Sequence, residues 1–254
     1  MNALITGTTS GIGYELAKLF ASDGYNLILV SRSKLKLEQQ KAELEHAYNI
    51  QVQIYALDLS QANAAKLLYN EIKDPVDALV NNAGFMEYGA FVHSDLQKQM
   101  EMIQLQNNFL TELCHYYVPQ MVKHQYGSVL NVASMASFVG LENAAVYGAV
   151  KAYILSFTKG LHNECKPYKV KVSALCPGAT RTLFASKSDA EDTHLFTMHV
   201  MEAQSVAKTA YRGLKKNKMM IIPGVYNKLG YICTKLLPNA FVNKAVSYIM
   251  ARKK

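Results

Sequence analysis

The chain has no tryptophan, only six prolines and only four cysteines among its 254 residues. Cys114, Cys165, Cys176 and Cys233 form no C-x-x-C pair. The N-terminus shows no basic segment followed by an apolar block of the kind that marks export. Together these absences predict reduced thiols in a cytoplasmic protein rather than a disulfide framework. The seven histidines form neither an H-x-H nor an H-E-x-x-H pattern, so no metal site is expected. No apolar run reaches the roughly 20 residues that cross a bilayer, and there is no repeat at a period of about 20–50 residues. Acidic residues are missing from one region: between Ala203 and Lys254 stand 11 Lys or Arg and no Asp or Glu. The first 202 residues carry 16 basic against 19 acidic side chains, so the formal charge of +8 belongs to the C-terminal fifth. A uniformly basic nucleic-acid binder would not be built this way, and no nucleic-acid partner is expected.

Half of the residues are hydrophobic and 18% are charged, which suits a buried core and excludes global disorder. Short runs, apolar throughout, predict strands at Asn2–Thr6, Asn26–Ser31, Gln51–Leu57, Ala78–Asn81, Ser128–Val132, Lys171–Cys176 and Met219–Ile222. Between them, helical periodicity predicts helices at Ile12–Ser22, Leu35–Ala47, Ala62–Ile72, Leu96–Val122, Val146–Glu164 and Gln204–Lys215. Strands without polar alternation belong in a parallel sheet covered on both faces. The expected fold is therefore α/β: a Rossmann-like, doubly wound parallel sheet of seven strands with helices on both faces, in a single domain. Ligands of such sheets bind beyond the carboxyl ends of the strands.

After the first strand comes Thr6-Gly7-Thr8-Thr9-Ser10-Gly11-Ile12-Gly13, then a helix. Glycines at such a turn let a pyrophosphate approach the backbone at the positive end of the helix dipole; a plain tight turn would use them as well. The second strand ends in Ser31-Arg32, where an acid would accept from an adenosine ribose. A guanidinium there can grip a 2′-phosphate, which favours NADP(H) over NAD(H); a solvated surface charge is the alternative. Asp58, after the third strand, either accepts from an adenine amine or caps the following helix. Five Tyr-x-x-x-Lys pairs occur, beginning at Tyr14, Tyr69, Tyr147, Tyr211 and Tyr231, where chance predicts about one or two. Only Tyr147/Lys151 has a serine 13 positions upstream, Ser134, just beyond a strand. A lysine one helical turn from a tyrosine can stabilise its phenolate.

These motifs, with Asn81-Asn82-Ala83-Gly84 and Pro177-Gly178, stand in the order and spacing of the short-chain dehydrogenases/reductases, a family that the chain resembles over roughly residues 1–224. The resemblance implies that Tyr147 is the general acid/base, that Ser134 orients the substrate oxygen, and that Lys151 binds the nicotinamide ribose and lowers the tyrosine pKa. It implies a cofactor lying on Gly7, Thr9, Ser10, Gly11, Ile12 and Gly13, with Ser31, Arg32, Asp58 and Leu59 toward the adenosine. Asn81, Ala83 and Gly84 would line the adenosine side and support the sheet, while Pro177, Gly178, Thr180 and Thr182 would meet the nicotinamide end. The family's asparagine in the next helix is replaced by Gln106, whose main-chain carbonyl can still serve the proton relay; a shift of one residue would restore Asn107.

Two expectations concern the C-terminal part. Leu183–Ala203 forms a lid over the substrate, and Phe184, Leu195, Phe196 and Met198 suit an apolar ligand. Residues 225–254 form two basic amphipathic helices on the same domain. They serve as a flap over the cleft, as a subunit interface, or as a contact with an anionic membrane. The leading reading is an NADP(H)-dependent oxidoreductase acting on a small carbonyl or alcohol, assembled as a dimer or tetramer. The competing reading is a non-catalytic NADP(H)-binding regulator.

Overall fold

The computed structural model describes residues 1–253. Strand β1 (Asn2–Thr6) leads into helix α1 (Gly11–Ser22), then β2 (Asn26–Ser31), α2 (Lys34–Ala47), β3 (Val52–Ala56), α3 (Ala64–Glu71) and β4 (Ala78–Asn81). The second half runs α4 (Leu96–Ile103), a wide turn at Gln104–Asn108, α5 (Phe109–His124), β5 (Ser128–Val132), α6 (Ala145–Cys165) and β6 (Lys171–Leu175). The expected helix Leu96–Val122 is thus interrupted by one π-type turn, a feature that periodicity does not register and that is common at functional sites.

Next come two strands of two residues each, β7 (Thr180–Arg181) and β8 (Met201–Glu202), which enclose the short helices α7 (Phe184–Lys187) and α8 (His194–Thr197). Then follow α9 (Ala203–Lys215), β9 (Met220–Ile221), α10 (Val225–Leu236) and α11 (Asn239–Met250). Strands as short as β7 and β8, paired in parallel with each other, leave no pattern in the sequence.

The main sheet has the order β3-β2-β1-β4-β5-β6-β9 with every pairing parallel, as the apolar runs predict. Its side chains alternate between two cores. Leu4, Ile28, Leu79, Val129 and Val172 face α3, α5 and α6, among Leu68, Leu113 and Ile154. Ala3, Ile5, Leu27, Leu29, Val80 and Leu130 face α1, α2 and α9, among Leu16, Phe20, Leu37, Val206 and Leu214. Covering both faces is what makes the strands mostly apolar, with Thr6, Asn81, Asn131 and Ser173 as buried polar exceptions. Among the described residues no helix is long and apolar enough to cross a membrane.

The chain runs outward from β1 to β2 and β3, then returns to β4 on the other side of β1. Loops leaving β1 and β4 therefore diverge and open a crevice. Thr6 ties the two sides of this junction together. Its hydroxyl donates to the Val80 carbonyl (3.3 Å) and accepts from the backbone N–H of Asn82 and of Ala83, both at 3.0 Å. Thr6→Val keeps the shape and removes the acceptor, so two N–H groups lose their partner in a buried place. We expect a loss of about 2 kcal/mol or more, measured as a lower urea midpoint with an unchanged m-value.

Candidate active site

The turn after β1 is held open by two backbone conformations that favour glycine: Gly7 has φ +69° and Gly11 φ +62°. Space is the second constraint. A Cβ on Gly13 would lie 2.4 Å from both the Asn82 amide nitrogen and the Gly7 carbonyl, and one on Gly11 would lie 2.6 Å from the Thr182 methyl. Ser10 precedes α1 in extended backbone without capping it through its side chain, and the first turn of α1 holds no acid. The N–H groups and positive dipole end of α1 are thus left available to an anion. Ile12 packs into the core beneath.

Toward the open end of the crevice, the Thr9 and Ser31 hydroxyls lie 3.3 Å apart, and Arg32 is exposed just beyond. Among the described residues Arg32 takes part in no ion pair. Asp58 accepts from both the backbone N–H (3.0 Å) and the hydroxyl (2.8 Å) of Ser60. Ser60 and the nearby Arg32 charge hold the Asp58 carboxyl below its ordinary value against the opposing effect of burial. The cap of α3 is Asn63, so the cap alternative for Asp58 does not hold. Leu59 is buried in the core, which leaves only its backbone to line a ligand.

The asparagine pair after β4 divides its work. Asn81 turns inward: its amide donates to Asn131 Oδ1 at 2.8 Å, and Asn131 in turn donates to the Thr158 hydroxyl at 3.0 Å. The Asn81 side chain therefore braces the sheet. Asn82 is the one that reaches the glycine turn, donating to the carbonyls of Thr6 and Gly7, both at 2.9 Å. Sequence reasoning assigned Asn82 no role of its own. Ala83 packs against Gly7, where an added Cβ would meet Ala83 Cα at 2.9 Å. Gln106 lies in the wide turn, buried, with its amide nitrogen donating to the Phe85 carbonyl at 2.9 Å. Its amide oxygen has no protein partner and occupies the space that a Gly84 side chain would need, 2.5 Å from such a Cβ. The register thus places Gln106, not Asn107, beneath the Asn-Asn-Ala-Gly turn.

Ser134, Tyr147 and Lys151 converge where β5 ends. Ser134 caps the short turn Met135–Phe138, its hydroxyl accepting from the Ala136 N–H at 3.1 Å. The Lys151 ammonium donates to the Val132 carbonyl at 2.9 Å and sits 5.5 Å from the centre of the Tyr147 ring. Ser137 is a second residue missed from sequence. Its hydroxyl donates to the Lys151 carbonyl at 2.8 Å and accepts from the Ser134 N–H at 3.3 Å, tying α6 to the serine turn. The only signal was a serine three positions after Ser134, the spacing of a capping box. Burial pushes the Tyr147 phenol up to about 12, with the Ser134 hydroxyl pulling it back down. Burial also drives the Lys151 amine down to about 7, against the pull of Cys176. Removing a phenolate from water thus outweighs the Ser134 hydroxyl.

Three other Tyr-x-x-x-Lys pairs bring the ammonium over the ring in the same manner, at 4.6 Å for Tyr14, 4.9 Å for Tyr211 and 5.8 Å for Tyr231. Helical spacing alone produces that contact; burial beside a serine distinguishes Tyr147. The Pro177 carbonyl accepts from the Met135 N–H at 2.9 Å, and the Thr180 hydroxyl donates to the Gly178 carbonyl at 3.0 Å. Thr182 accepts from the Phe184 N–H at 3.1 Å, with its methyl toward Gly11. Gly178 is covered by Asn227 of α10, whose carboxamide oxygen lies 2.3 Å from where a Cβ would stand. Phe184 faces Tyr147 with ring centres 5.9 Å apart. Tyr147 belongs to an apolar cluster with Met86, Met102 and Met250, flanked by Leu195 and Phe196.

The last residues fasten the lid. The Lys253 N–H donates to the Asp192 carbonyl (2.8 Å), the His194 N–H donates to the Ala251 carbonyl (3.0 Å), and Arg252 pairs with Asp189 at 2.9 Å. The end of α11 is thus fastened to the segment between β7 and β8.

Comparisons with known proteins agree with this geometry. The sequence profile of the family described as short chain dehydrogenase matches residues 1–193. An uncharacterized oxidoreductase of Bacillus subtilis (strain 168), YmfI, is 32% identical over 181 residues, which is 71% of this chain and 75% of that protein. A 7beta-hydroxysteroid dehydrogenase of Clostridium sardiniense is 27% identical over 232 residues, 89% of this chain and 86% of that one. A solved short-chain dehydrogenase from Sphingobium yanoikuyae in complex with NADPH superposes with a TM-score of 0.82 at 28% identity, covering 93% of this chain and 94% of that one.

The crowding at Gly13 gives a direct test of how tightly the turn is built. Gly13→Ala must displace Asn82 or the Gly7 carbonyl. We expect a loss of about 1–3 kcal/mol, seen as a thermal midpoint lower by several degrees. An unchanged midpoint would show that the junction yields freely.

Proposed function

This chain belongs to the short-chain dehydrogenase family, and from that premise we propose that it is an NADP(H)-dependent oxidoreductase interconverting a carbonyl and an alcohol on an apolar substrate. The observation that supports this reading is the convergence of Ser134, Tyr147 and Lys151 beside a glycine turn that opens onto the first turn of α1. The residues fit a dinucleotide: side chains are excluded at Gly7, Gly11 and Gly13, where a pyrophosphate needs bare backbone. The nicotinamide cofactor supplies the hydride chemistry when bound.

The protein's own part is to place and protonate. Ser134 holds the substrate oxygen and Tyr147 gives or takes its proton. Lys151, fixed by the Val132 carbonyl, is within one helical turn of the phenol and is available to a ribose hydroxyl. A phenol at about 12 remains protonated at neutral pH, the state needed to donate a proton to a reduced carbonyl. Alcohol oxidation needs the phenolate, so that direction gains as pH rises. Phe184, Leu195 and Phe196 give the substrate side an apolar wall that suits bulky, apolar carbonyl compounds. The chain would act as a homo-oligomer, dimer or tetramer.

Two substitutions test this. Tyr147→Phe removes one transferable proton and leaves Lys151 in place. Turnover of NADPH with a carbonyl panel should fall at least about a hundredfold while NADPH binding stays near that of the parent. Activity within tenfold of the parent would remove Tyr147 from its role. A parent protein that binds NADPH but turns over no carbonyl compound would point to a nucleotide-binding regulator.

Arg32→Ala tests the cofactor. The exposed guanidinium stands beside Ser31 with no acid in the ribose position, so NADPH should bind the parent more tightly than NADH. The substitution should weaken NADPH roughly ten- to a hundredfold and leave NADH unchanged. Equal affinities in the parent would overturn the preference.

A further inference from the structure

The inner sides of α10 and α11 close the cleft, but their outer sides serve no part of the fold. On α10, Val225, Leu229, Ile232 and Leu236 recur at the spacing of one helix face, and their exposures run from 47% to 78%. On α11, Phe241 and Ala245 repeat the pattern and are exposed, while Tyr248, next along the helix, stacks its ring on His194 at 4.5 Å. Lys228 and Lys235 border the stripe of α10, and Lys244 borders that of α11. An aliphatic row left in water beside lysines is the pattern of a helix that lies in an interface.

A second feature adjoins it. Between the end of α9, the edge strand β9 and the first turn of α10 lies an open hollow of about 400 Å³. Arg212, Lys216, Lys218 and Lys228 line it, with Met220 and Ile222 at its apolar side and no acid. Among the described residues none of these four cations takes part in an ion pair. Lys228 belongs to both features, so the cationic hollow and the aliphatic row are continuous.

We propose that this face docks onto an anionic lipid bilayer, with the α10 row entering the headgroup region and the hollow receiving lipid phosphates. Charge decides the occupant. A second copy of the same face would bring cations against cations, since no acid occurs from Ala203 to Lys254. A nucleic acid has no use for the aliphatic row. Docking would also place the cleft at the bilayer, because the inner side of α10 rests on Phe138 (Tyr231 ring at 4.7 Å) and on Gly178. Apolar substrates concentrate there; that consequence rests on the proposed function, whereas the docking does not.

The test is flotation of the full chain with vesicles of phosphatidylcholine alone or of phosphatidylcholine with phosphatidylserine, at low and high ionic strength. Binding to the anionic vesicles at low ionic strength should exceed that to the neutral ones at least tenfold and fall with salt. Leu229→Asp with Ile232→Asp, at exposed positions, should keep the circular dichroism spectrum and abolish flotation. Arg212→Gln with Lys216→Gln and Lys218→Gln should remove only the preference for anionic lipid. Equal flotation with both vesicles overturns the proposal. So does displacement from the vesicles by inorganic phosphate at matched ionic strength, which would mark a site for soluble anions. So does a Leu229→Asp/Ile232→Asp protein that floats as before but loses an oligomer in sedimentation velocity, which would assign the face to a second copy. NADPH turnover with a water-soluble carbonyl compound, measured without vesicles, reports separately on the chemistry.

Discussion

The bond network of Thr6 at the junction of β1 and β4 is the constraint on which the rest of the site depends. Two loops leave neighbouring parallel strands in opposite directions, and each must satisfy its backbone groups without a next strand to pair with. The Thr6 hydroxyl serves one loop and the Asn82 amide serves the other, so the crevice stays open while its walls remain hydrogen-bonded. Gly7 and Gly13 are glycines because this cross-tie leaves no room for a side chain between the loops. Everything downstream, from the uncapped first turn of α1 to the position of Gly84 over Gln106, takes its place from that junction.

A second tension runs through the catalytic corner. Burial shields Tyr147 and Lys151 from water and disfavours the charged form of each, so the phenol rises and the amine falls. The corner answers with fixed dipoles rather than countercharges: the Val132 carbonyl at Lys151, and the Ser134 hydroxyl held by a turn that Ser137 ties back to α6. Such an environment favours a proton donor over a resident ion. It also explains why the apolar lid residues Phe184 and Leu195 can approach so closely without leaving a charge unsolvated.

The sheet was legible because parallel strands covered on both faces are mostly apolar, and seven such runs announced themselves to within a residue or two. The glycine turn, Ser134, Tyr147 and Lys151 were legible because each follows a strand or lies on one helix face. What escaped notice depends on contacts distant in sequence. Nothing near Asn82 shows that its amide spans the turn while Asn81 looks the other way, and nothing near Asp58 shows that α3 starts only after Asn63. The π-type turn at Gln104–Asn108 adds a single residue to a helix, below the resolution of any periodicity. The lid strands β7 and β8 exist only because they pair with each other. The Tyr147/Lys151 pair shows the limit most clearly: four of the five such pairs make the same contact, Tyr211 is as buried as Tyr147, and what sets Tyr147 apart is the Ser134 hydroxyl and a lysine buried beside it.

The pairing of Gly84 with Gln106 has an evolutionary consequence. The amide of Gln106 fills the volume that a side chain at position 84 would take, so neither position can drift alone. A larger residue at 84 requires the Gln106 side chain to shorten or to turn away. Contacting residues of this kind are non-additive in their effects. The two positions therefore respond as a unit, and a double substitution at 84 and 106 need not equal the sum of its parts.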